Sequence, residues 1–182
     1  AMAPPGPGLE RFWDTAEQVA MLCAVLAQKI RGIPKDQAYT VGLFHDCGIP
    51  LLMQRFPTYK DVLLRANRGD GDAFDDIEQA ELNTSHTSVG YFVAKSWHLP
   101  DDICHAIMLH HSVNAFIANE GVPDMVKNFI GLVLLAEHIH HARLRSAADV
   151  EWERLGPTVQ RHFGFTEEDY LELIDATHEE LT

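Results

Sequence analysis

Apolar residues recur at spacings of three and four along the early part of the chain. The positions are Phe12, Val19, Leu22, Cys23, Leu26 and Ile30. This period is typical of an amphipathic α-helix that buries one face. Gly32 and Pro34 follow directly and indicate where that helix ends. The pattern therefore predicts a first helix over residues 9–30.

The same periodicity continues along the rest of the chain. It predicts further helices at residues 35–47, 50–56, 58–68, 73–82, 85–97, 101–111, 122–144, 149–163 and 167–181. Glycines and prolines such as Gly48, Pro57, Pro100, Pro123 and Gly164 separate these segments. No stretch of useful length alternates apolar and polar residues as a half-buried strand does. We therefore predict an all-α fold.

The length and the apolar runs indicate one soluble domain. A chain of 182 residues can bury a substantial core but has little room for a second one. Residues 1–8 are rich in proline and glycine and resemble the remnant of an expression tag, so we expect the domain to span residues 9–182. The longest apolar run, residues 129–136, is much shorter than the roughly 20 residues that cross a bilayer. We expect a cytoplasmic protein without a membrane partner.

Charge and cysteine usage exclude further classes of protein. The formal net charge is −13, and no basic stripe offsets it, so DNA binding is not expected. A local metal or basic pocket could still hold a small nucleotide. Cys23, Cys47 and Cys104 are widely spaced in apolar helical segments, which favours reduced core residues over a disulfide framework or a paired-cysteine metal site.

Imidazoles and carboxylates are placed in a way that suggests metal ligation. Two pairs, 45–46 and 110–111, lie at predicted helix C-termini, where free carbonyls and the helix dipole favour a cation. A further histidine begins a helix, and a glutamate lies inside the longest apolar helix, where an unpaired carboxylate is unfavourable. Such donors suit iron, manganese or zinc. The candidate ligands are His45, Asp46, His86, His110, His111 and Glu137.

Ordinary structural roles remain open for each of these side chains. Spacing on separate helices cannot show that the six converge, and a single histidine is more often a capping or half-buried residue. Glu137 could equally pair with a neighbouring histidine in a polar core network. We give that ordinary interpretation to four other histidines, His98, His105, His162 and His178. The remaining histidines lie near the end of the long apolar helix, and we do not expect them to bind metal: His138, His140 and His141.

The order of these motifs resembles the HD superfamily of metal-dependent phosphohydrolases, and specifically the HDOD domain, which is related to the HD-GYP phosphodiesterases. The segments that carry the resemblance are FWDTAEQVAMLCAVLA, YTVGLFHDCGIPLLMQRFP, ELNTSHTSVGYFVAKSWHLPDDICHAIMLHH and FGFTEEDYLELIDATHEEL. They extend from Phe12 to Leu181 and imply an HD-like bundle of helices. A helical subdomain usually precedes the Phe-Trp segment in that family, and we expect this chain to be a fragment that lacks it.

The resemblance also implies a metal site and shows where this chain departs from it. In catalytic HD members a first-helix histidine, the His-Asp pair, later histidines and a final aspartate hold metals that activate water. The six candidate ligands occupy such positions, with Glu137 in place of the aspartate. Thr15 stands where the first-helix histidine is expected, and Ile49 where active cyclic-dinucleotide phosphodiesterases carry a phosphate-binding lysine. The Gly-Tyr-Pro signature is missing.

These departures predict a degenerate metal site in a protein that is not an enzyme. HDOD domains are regarded as signalling or scaffolding modules, so the resemblance implies a non-catalytic regulatory module of a bacterial signal-transduction protein. The expected partner is another protein or a small nucleotide, and the expected cofactor is a divalent ion of iron, manganese or zinc. One alternative is a metal-dependent phosphohydrolase acting on cyclic dinucleotides or nucleotides. Another is a structural helical domain whose histidines are polar core residues.

Overall fold

The computed structural model describes residues 7–66, 74–112, 121–144 and 149–180. The helices are α1 (Pro7–Lys29), α2 (Lys35–Phe44), α3 (Gly48–Arg55), α4 (Tyr59–Ala66), α5 (Phe74–Leu82), α6 (His86–Ser96), α7 (Asp101–Leu109), α8 (Asp124–Arg143), α9 (Val150–Phe163) and α10 (Glu167–Glu180). These ranges contain no strand, so the predicted all-α fold is confirmed.

The helix boundaries differ from the prediction mainly around the His-Asp pair. Helix α2 ends at Phe44 instead of continuing to residue 47, and α3 begins at Gly48. Pro50 is accommodated in the first turn of α3, where its missing N–H would have no helical partner. At the N-terminus α1 starts at Pro7, two residues before the expected start. Residues 1–6 of the expected tail, and positions 67, 68, 73 and 181 of the predicted helices, lie outside the described residues.

Helix α8 forms the centre of the main core. Its apolar residues are buried on nearly every side, among them Phe129, Ile130, Leu132, Leu135 and Ile139. It packs against α1, α7 and α9, and a helix that is apolar all round is typical of such a central position. Helix α8 also carries Glu137, whose side chain is partly buried.

A smaller hydrophobic cluster lies beside the main core. It consists of Ile49, Leu52, Tyr59 and Val62 from α3 and α4, with Phe12 of α1 packed against it. Helices α1 and α2 themselves pack tightly, because a Cβ on Gly42 would lie only 2.8 Å from the Ala20 Cα. This close contact fixes the C-terminal end of α2, where the His-Asp pair follows.

The three cysteines Cys23, Cys47 and Cys104 are buried and free. Within the described ranges, none of the helices combines the length and apolar character needed to cross a lipid bilayer.

Candidate metal centre

His45 and Asp46 lie in a tight turn between α2 and α3. The turn is closed by backbone hydrogen bonds from Cys47 N–H to the Phe44 carbonyl, at 3.0 Å, and from Ile49 N–H to the Asp46 carbonyl, at 2.9 Å. His45 is almost completely buried. The chain therefore presents the His-Asp pair from a short connection that is held rigid at both ends.

A glycine lets this turn approach the start of α6. A Cβ added to Gly48 would lie 2.0 Å from the backbone oxygen of His86, so no larger residue fits without moving the backbone. His86 is the first residue of α6, and Ser85 caps that helix by accepting a hydrogen bond from the Ser88 N–H, at 3.2 Å. The close approach brings the His86 ring next to Asp46.

The six predicted ligands lie together at one place in the fold. Asp46 Oδ1 is 3.3 Å from His86 Nε2 and 3.5 Å from His110 Nε2. His45 Nε2 is 3.4 Å from Asp46 Oδ2 and 3.3 Å from Glu137 Oε1. Two groups of donors therefore share Asp46, and within each group the donor atoms lie within 4.8 Å of one another. The groups are Asp46, His86, His110 and His111, and His45, Asp46 and Glu137. We call the six residues the His-Asp cluster.

Hydrogen bonds on the far side of each ring determine which nitrogen faces the cluster. His45 Nδ1–H donates to the Gly42 carbonyl at 2.7 Å, and His110 Nδ1–H donates to the Ile107 carbonyl at 2.8 Å. Carbonyl oxygens only accept, so both Nδ1 atoms carry hydrogen. In the neutral tautomer each Nε2 then presents a lone pair toward Asp46.

The other two histidines are oriented by carboxylates. His86 Nδ1–H donates to Glu78 Oε2 at 2.7 Å, and His111 Nδ1–H donates to both oxygens of Glu151, at 2.7 and 2.8 Å. Their Nε2 atoms face each other at 3.2 Å. A single proton can bridge this pair, whereas one metal ion would satisfy both lone pairs at once.

An unsatisfied nitrogen shows that the protein side chains alone do not complete the cluster. His110 Nε2 is buried and has no hydrogen-bond partner among the described residues, and a buried polar atom without a partner is unfavourable. Donors of one ion at ligand distances of about 2.0–2.2 Å lie roughly 3–4 Å apart. The separations around Asp46 agree with that spacing, so these residues fit a divalent metal ion.

The cluster also separates the protonation states of its members. Burial raises the pKa of Asp46, but the surrounding imidazoles, His45 first, hold it well below its usual range. Burial lowers the pKa of His86, yet Asp46 and Glu78 raise it to about 10. For His110, burial and the neighbouring His111 lower the pKa. Asp46 is thus ionised, and His86 carries a proton that a metal ion would displace. His110, whose Nε2 lacks a hydrogen-bond partner among the described residues, is neutral and available as a ligand.

Comparison with known proteins assigns the sequence to a family. The HDOD domain sequence profile matches residues 3–113 of the chain. This chain belongs to the HDOD family. The resemblance seen in the sequence is thereby confirmed. Glu137 lies beyond the matched part of the HDOD profile. No curated protein sequence matches the chain.

Solved structures of longer proteins share the HDOD fold. A candidate phosphohydrolase from Shewanella amazonensis is 21% identical, with 97% of this chain and 62% of that chain covered and a TM-score of 0.69. An HDOD domain protein from Geobacter sulfurreducens is 20% identical, with 93% and 58% covered and a TM-score of 0.65. The MmoQ response regulator from Methylococcus capsulatus is 21% identical, with 91% and 60% covered and a TM-score of 0.60. The present chain spans about three fifths of each of these proteins.

The structure also shows the surroundings of Thr15 and Ile49, the two positions at which the sequence departs from the pattern of catalytic HD members. Thr15 is exposed on α1. Ile49 is buried and packs with Leu52 and Tyr59 in the smaller hydrophobic cluster. The position expected for a phosphate-binding lysine therefore contributes to hydrophobic packing.

The partly exposed side chains in and beside the His-Asp cluster are acidic. The side chains of Asp46, Asp75, Glu137 and Glu151 are 22–32% exposed, whereas the His45, His86, His110 and His111 side chains are 0–7% exposed. Among these eight residues, the side chains that reach solvent are therefore the carboxylates. Such a surface attracts cations and repels anions.

Sequence reasoning missed the carboxylates that support the imidazoles. Glu78 lies on α5 and Glu151 on α9, 8 and 40 residues from the histidines that they hold. Asp75 also approaches the cluster, with Oδ1 3.9 Å from His86 Nδ1. The only sequence signal was the pair Asp75 and Glu78 on one predicted helix face, at a spacing that places them side by side. For Glu151 no local pattern distinguishes it from an exposed acid.

The histidines that were given ordinary roles lie elsewhere. His138 and His141 both contact Asp149, at 3.0 and 3.6 Å. His162 contacts Asn128 at 2.8 Å, and His105 lies beside the Tyr91 ring. None of these four belongs to the groups of described residues that could share an ion. The His178 side chain lies outside the described part of the chain.

Proposed function

We propose that this HDOD domain is a non-catalytic regulatory module that binds a divalent metal ion at the His-Asp cluster and acts through a protein partner or a small ligand. The observation that carries the proposal is the convergence of four Nε2 atoms on Asp46. All four rings have Nδ1 committed to an acceptor, so it is their Nε2 atoms that face one small volume. An ionised carboxylate beside several imidazoles, whose Nε2 protons a metal ion would displace, is the donor set that iron, manganese and zinc prefer.

The residues would hold metal in two groups that share Asp46. Asp46, His86, His110 and His111 supply four donors, and His45, Asp46 and Glu137 supply three. When bound, a divalent ion supplies Lewis acidity and lowers the pKa of coordinated water. The chain's own part is to orient the imidazoles, to keep Asp46 ionised and to bury the ring nitrogens away from bulk solvent.

The surroundings of the cluster argue against hydrolysis of a phosphoester. A phosphate anion at the cluster would need a cationic side chain beside the metal ligands. The lysine that would contact it in active phosphodiesterases is replaced by the buried Ile49. Phosphoryl chemistry depends on cationic stabilisation of the developing charge. These features favour a regulatory role over the alternative of a phosphohydrolase.

The names of structural relatives are compatible with regulation. One relative is a response regulator, and the family profile is that of HDOD domains. The identity to these structures is only 20–21%, so their common ground with this chain is the fold. The regulatory role of this chain is an inference from its family and from its site.

Metal binding is tested by substitution of the shared ligand. Asp46→Asn keeps the shape of the side chain but removes the charge that both donor groups share. Protein purified without a His tag should retain Fe, Mn or Zn by elemental analysis, and Asp46→Asn should lose at least nine tenths of it. Asp36→Asn, an exposed position on α2, is the matched control and should keep the wild-type content. Equal metal in wild type and Asp46→Asn would remove the basis of the proposed site.

The competing phosphohydrolase is tested on the same proteins. Wild-type protein loaded with Mn²⁺, Fe²⁺ or Zn²⁺ should release no linear dinucleotide or phosphate from cyclic dinucleotides or nucleotides above the Asp46→Asn background. Metal-dependent turnover that disappears in Asp46→Asn and persists in Asp36→Asn would overturn the non-catalytic assignment.

A further inference from the structure

Glu78 is a completely buried carboxylate, and both of its oxygens accept hydrogen bonds. Its Oε2 accepts from the His86 Nδ1–H at 2.7 Å and from the His86 backbone N–H at 2.8 Å. Its Oε1 accepts from the Tyr59 hydroxyl. Burial of a carboxylate is unfavourable unless it is paired, and here burial is outweighed chiefly by His86, which lowers the Glu78 pKa. The charge is therefore kept and directed at one imidazole.

Glu151 plays the equivalent part for His111 from α9. Both of its oxygens accept from His111 Nδ1–H, at 2.7 and 2.8 Å. Arg154, one turn further along α9, lies 3.4 Å from Glu151 Oε1 and donates to the His111 backbone oxygen at 3.5 Å. These contacts fix the carboxylate and the backbone of the residue that it supports.

The remaining two imidazoles are supported differently. His45 and His110 each donate to a carbonyl three residues earlier, in the helix that precedes them, Gly42 and Ile107. Those acceptors are neutral and belong to the local backbone. A carboxylate acceptor makes the opposite ring nitrogen a better donor to a metal and is a recurrent partner of metal-bound histidine. The two carboxylate-supported rings are also the two whose Nε2 atoms lie 3.2 Å apart.

On the basis of the proposed metal site, we propose that Glu78 and Glu151 are positioning residues. Each holds one imidazole with its Nε2 lone pair facing the shared ion, and together they set how tightly the group of Asp46, His86, His110 and His111 binds metal. The group of His45, Asp46 and Glu137 has no comparable support on its histidine and binds more weakly.

The positioning role also ties the metal group to distant parts of the chain. Tyr59, which donates to Glu78, is buried in the smaller hydrophobic cluster with Ile49 and Leu52. Glu151 lies in the first turn of α9. Helices α4, α5 and α9 therefore contribute to the affinity of a site to which they supply no direct ligand.

The test measures Zn²⁺ affinity by chelator competition in the full chain. Glu78→Gln and Glu151→Gln keep side-chain size but remove the negative charge. Each should weaken binding of the tighter ion by about 10- to 100-fold. The matched controls are Glu81→Gln on α5 and Glu153→Gln on α9, two exposed carboxylates on the same helices, and both should stay within about twofold of wild type.

A tautomer measurement separates positioning from general stability. In histidine-labelled, Zn²⁺-loaded protein, ¹⁵N NMR distinguishes protonated from metal-bound ring nitrogens. Wild type and both controls should show His86 and His111 with hydrogen on Nδ1 and metal on Nε2. In Glu78→Gln the His86 signals should change while those of His111 remain, and Glu151→Gln should give the reverse.

The outcomes distinguish this inference from the function on which it rests. If wild type binds no Zn²⁺, the proposed metal site itself is wrong. If wild type binds Zn²⁺ and both variants match their controls in affinity and tautomer, the metal site stands and the positioning role is overturned. Should Glu78→Gln fail to fold, the partly exposed Glu151 still decides the claim through its own affinity and His111 signals.

Discussion

Gly48 determines how close the His-Asp turn comes to His86. A Cβ at this position would lie 2.0 Å from the His86 carbonyl oxygen and 3.0 Å from the Gly90 nitrogen. Both are backbone atoms, which cannot rotate away as a side chain can. Glycine is therefore required here because α3 and α6 approach each other closely. The missing Cβ permits this approach, in which Asp46 Oδ1 lies 3.3 Å from His86 Nε2.

Gly48→Ala should separate α3 from α6 and weaken the fold. Overpacking of this kind destabilises by about 1–3 kcal/mol and occasionally more, and we expect the upper end because backbone must move. Zn²⁺ affinity should also fall, since Asp46 and His86 move apart. Chemical denaturation and chelator competition measure the two effects.

Gly90→Ala is the control for that substitution. It lies at the same helix contact, but its nearest neighbour is the Ile107 Cγ2 at 3.0 Å, a side-chain atom that can shift. Its effect should be clearly smaller. If the two variants were equally stable, the backbone clash at Gly48 would not be what limits residue size there.

At the scale of elements, Asp149 adds a polar contact to the packing of α9 against α8. Asp149 caps α9 by accepting from the Trp152 N–H at 3.0 Å, and its other oxygen lies 3.0 Å from His138 and 3.6 Å from His141. The His138 ring stacks on Trp152, with centroids 4.5 Å apart. A polar contact and a stacked ring pair thus join the two helices, and α9 in turn carries Glu151 to the metal site.

Asp149→Asn should reduce stability in a pH-dependent way. Burial raises the Asp149 pKa, but hydrogen bonds from the two histidines outweigh the effect of burial and lower that pKa. The stability that ionised Asp149 contributes is therefore present above about pH 3.9 and is lost as the pH falls. The hydrogen bond to Asp149 raises the His141 pKa. The stability that protonated His141 contributes is therefore complete below about pH 6.5 and is lost as the pH rises. The stability difference between wild type and Asp149→Asn should therefore be largest between about pH 4 and 6.5.

A hydrogen bond to a charged group contributes about 1.5–3 kcal/mol, and solvent screening at the half-exposed His141 places this effect at or below the lower end of that range. Asparagine also caps helices, so the substitution removes charge while retaining the cap. Thermal unfolding at several pH values measures the difference, with Glu153→Gln as the exposed control on α9. A difference that does not vary with pH would show that the ion pair contributes nothing beyond the cap.

At the scale of the whole molecule, the His-Asp cluster joins elements that are distant in the chain. Its ligands come from the α2–α3 turn, the start of α6, the end of α7 and the middle of α8. Holding them together requires the native arrangement of all four elements. An ion that binds this arrangement and not the unfolded chain stabilises the folded state by mass action.

Zn²⁺ should therefore raise the unfolding temperature of the metal-free protein. At a free concentration of 100 times Kd the gain is about 2.7 kcal/mol, which corresponds to roughly 5–10 °C for a protein of this size. Differential scanning calorimetry with and without a chelator measures it. Asp46→Asn should show no comparable rise, and an equal rise in that variant would place the stabilising ion elsewhere.

Much of the fold was predictable because it follows from local patterns. Helical periodicity and the positions of glycine and proline give the helices to within a few residues, since each helix buries a continuous apolar face. The exception is the segment around Gly48, which was expected to separate two helices and instead begins α3. Its geometry depends on contact with α6, which no local pattern records.

The amino-acid sequence by itself determined the all-α class, the family and the six residues of the His-Asp cluster. These follow from hydrophobic periodicity and the order of motifs, which are properties of the sequence alone. Only the tertiary structure decided that their ring nitrogens converge on Asp46, that Glu78 and Glu151 orient two of the rings, and that the exposed side is acidic. The physical reason is that hydrogen-bond partners and burial depend on contacts between residues far apart in sequence. His111 and Glu151, 40 residues apart and 2.7 Å from each other, are one such pair.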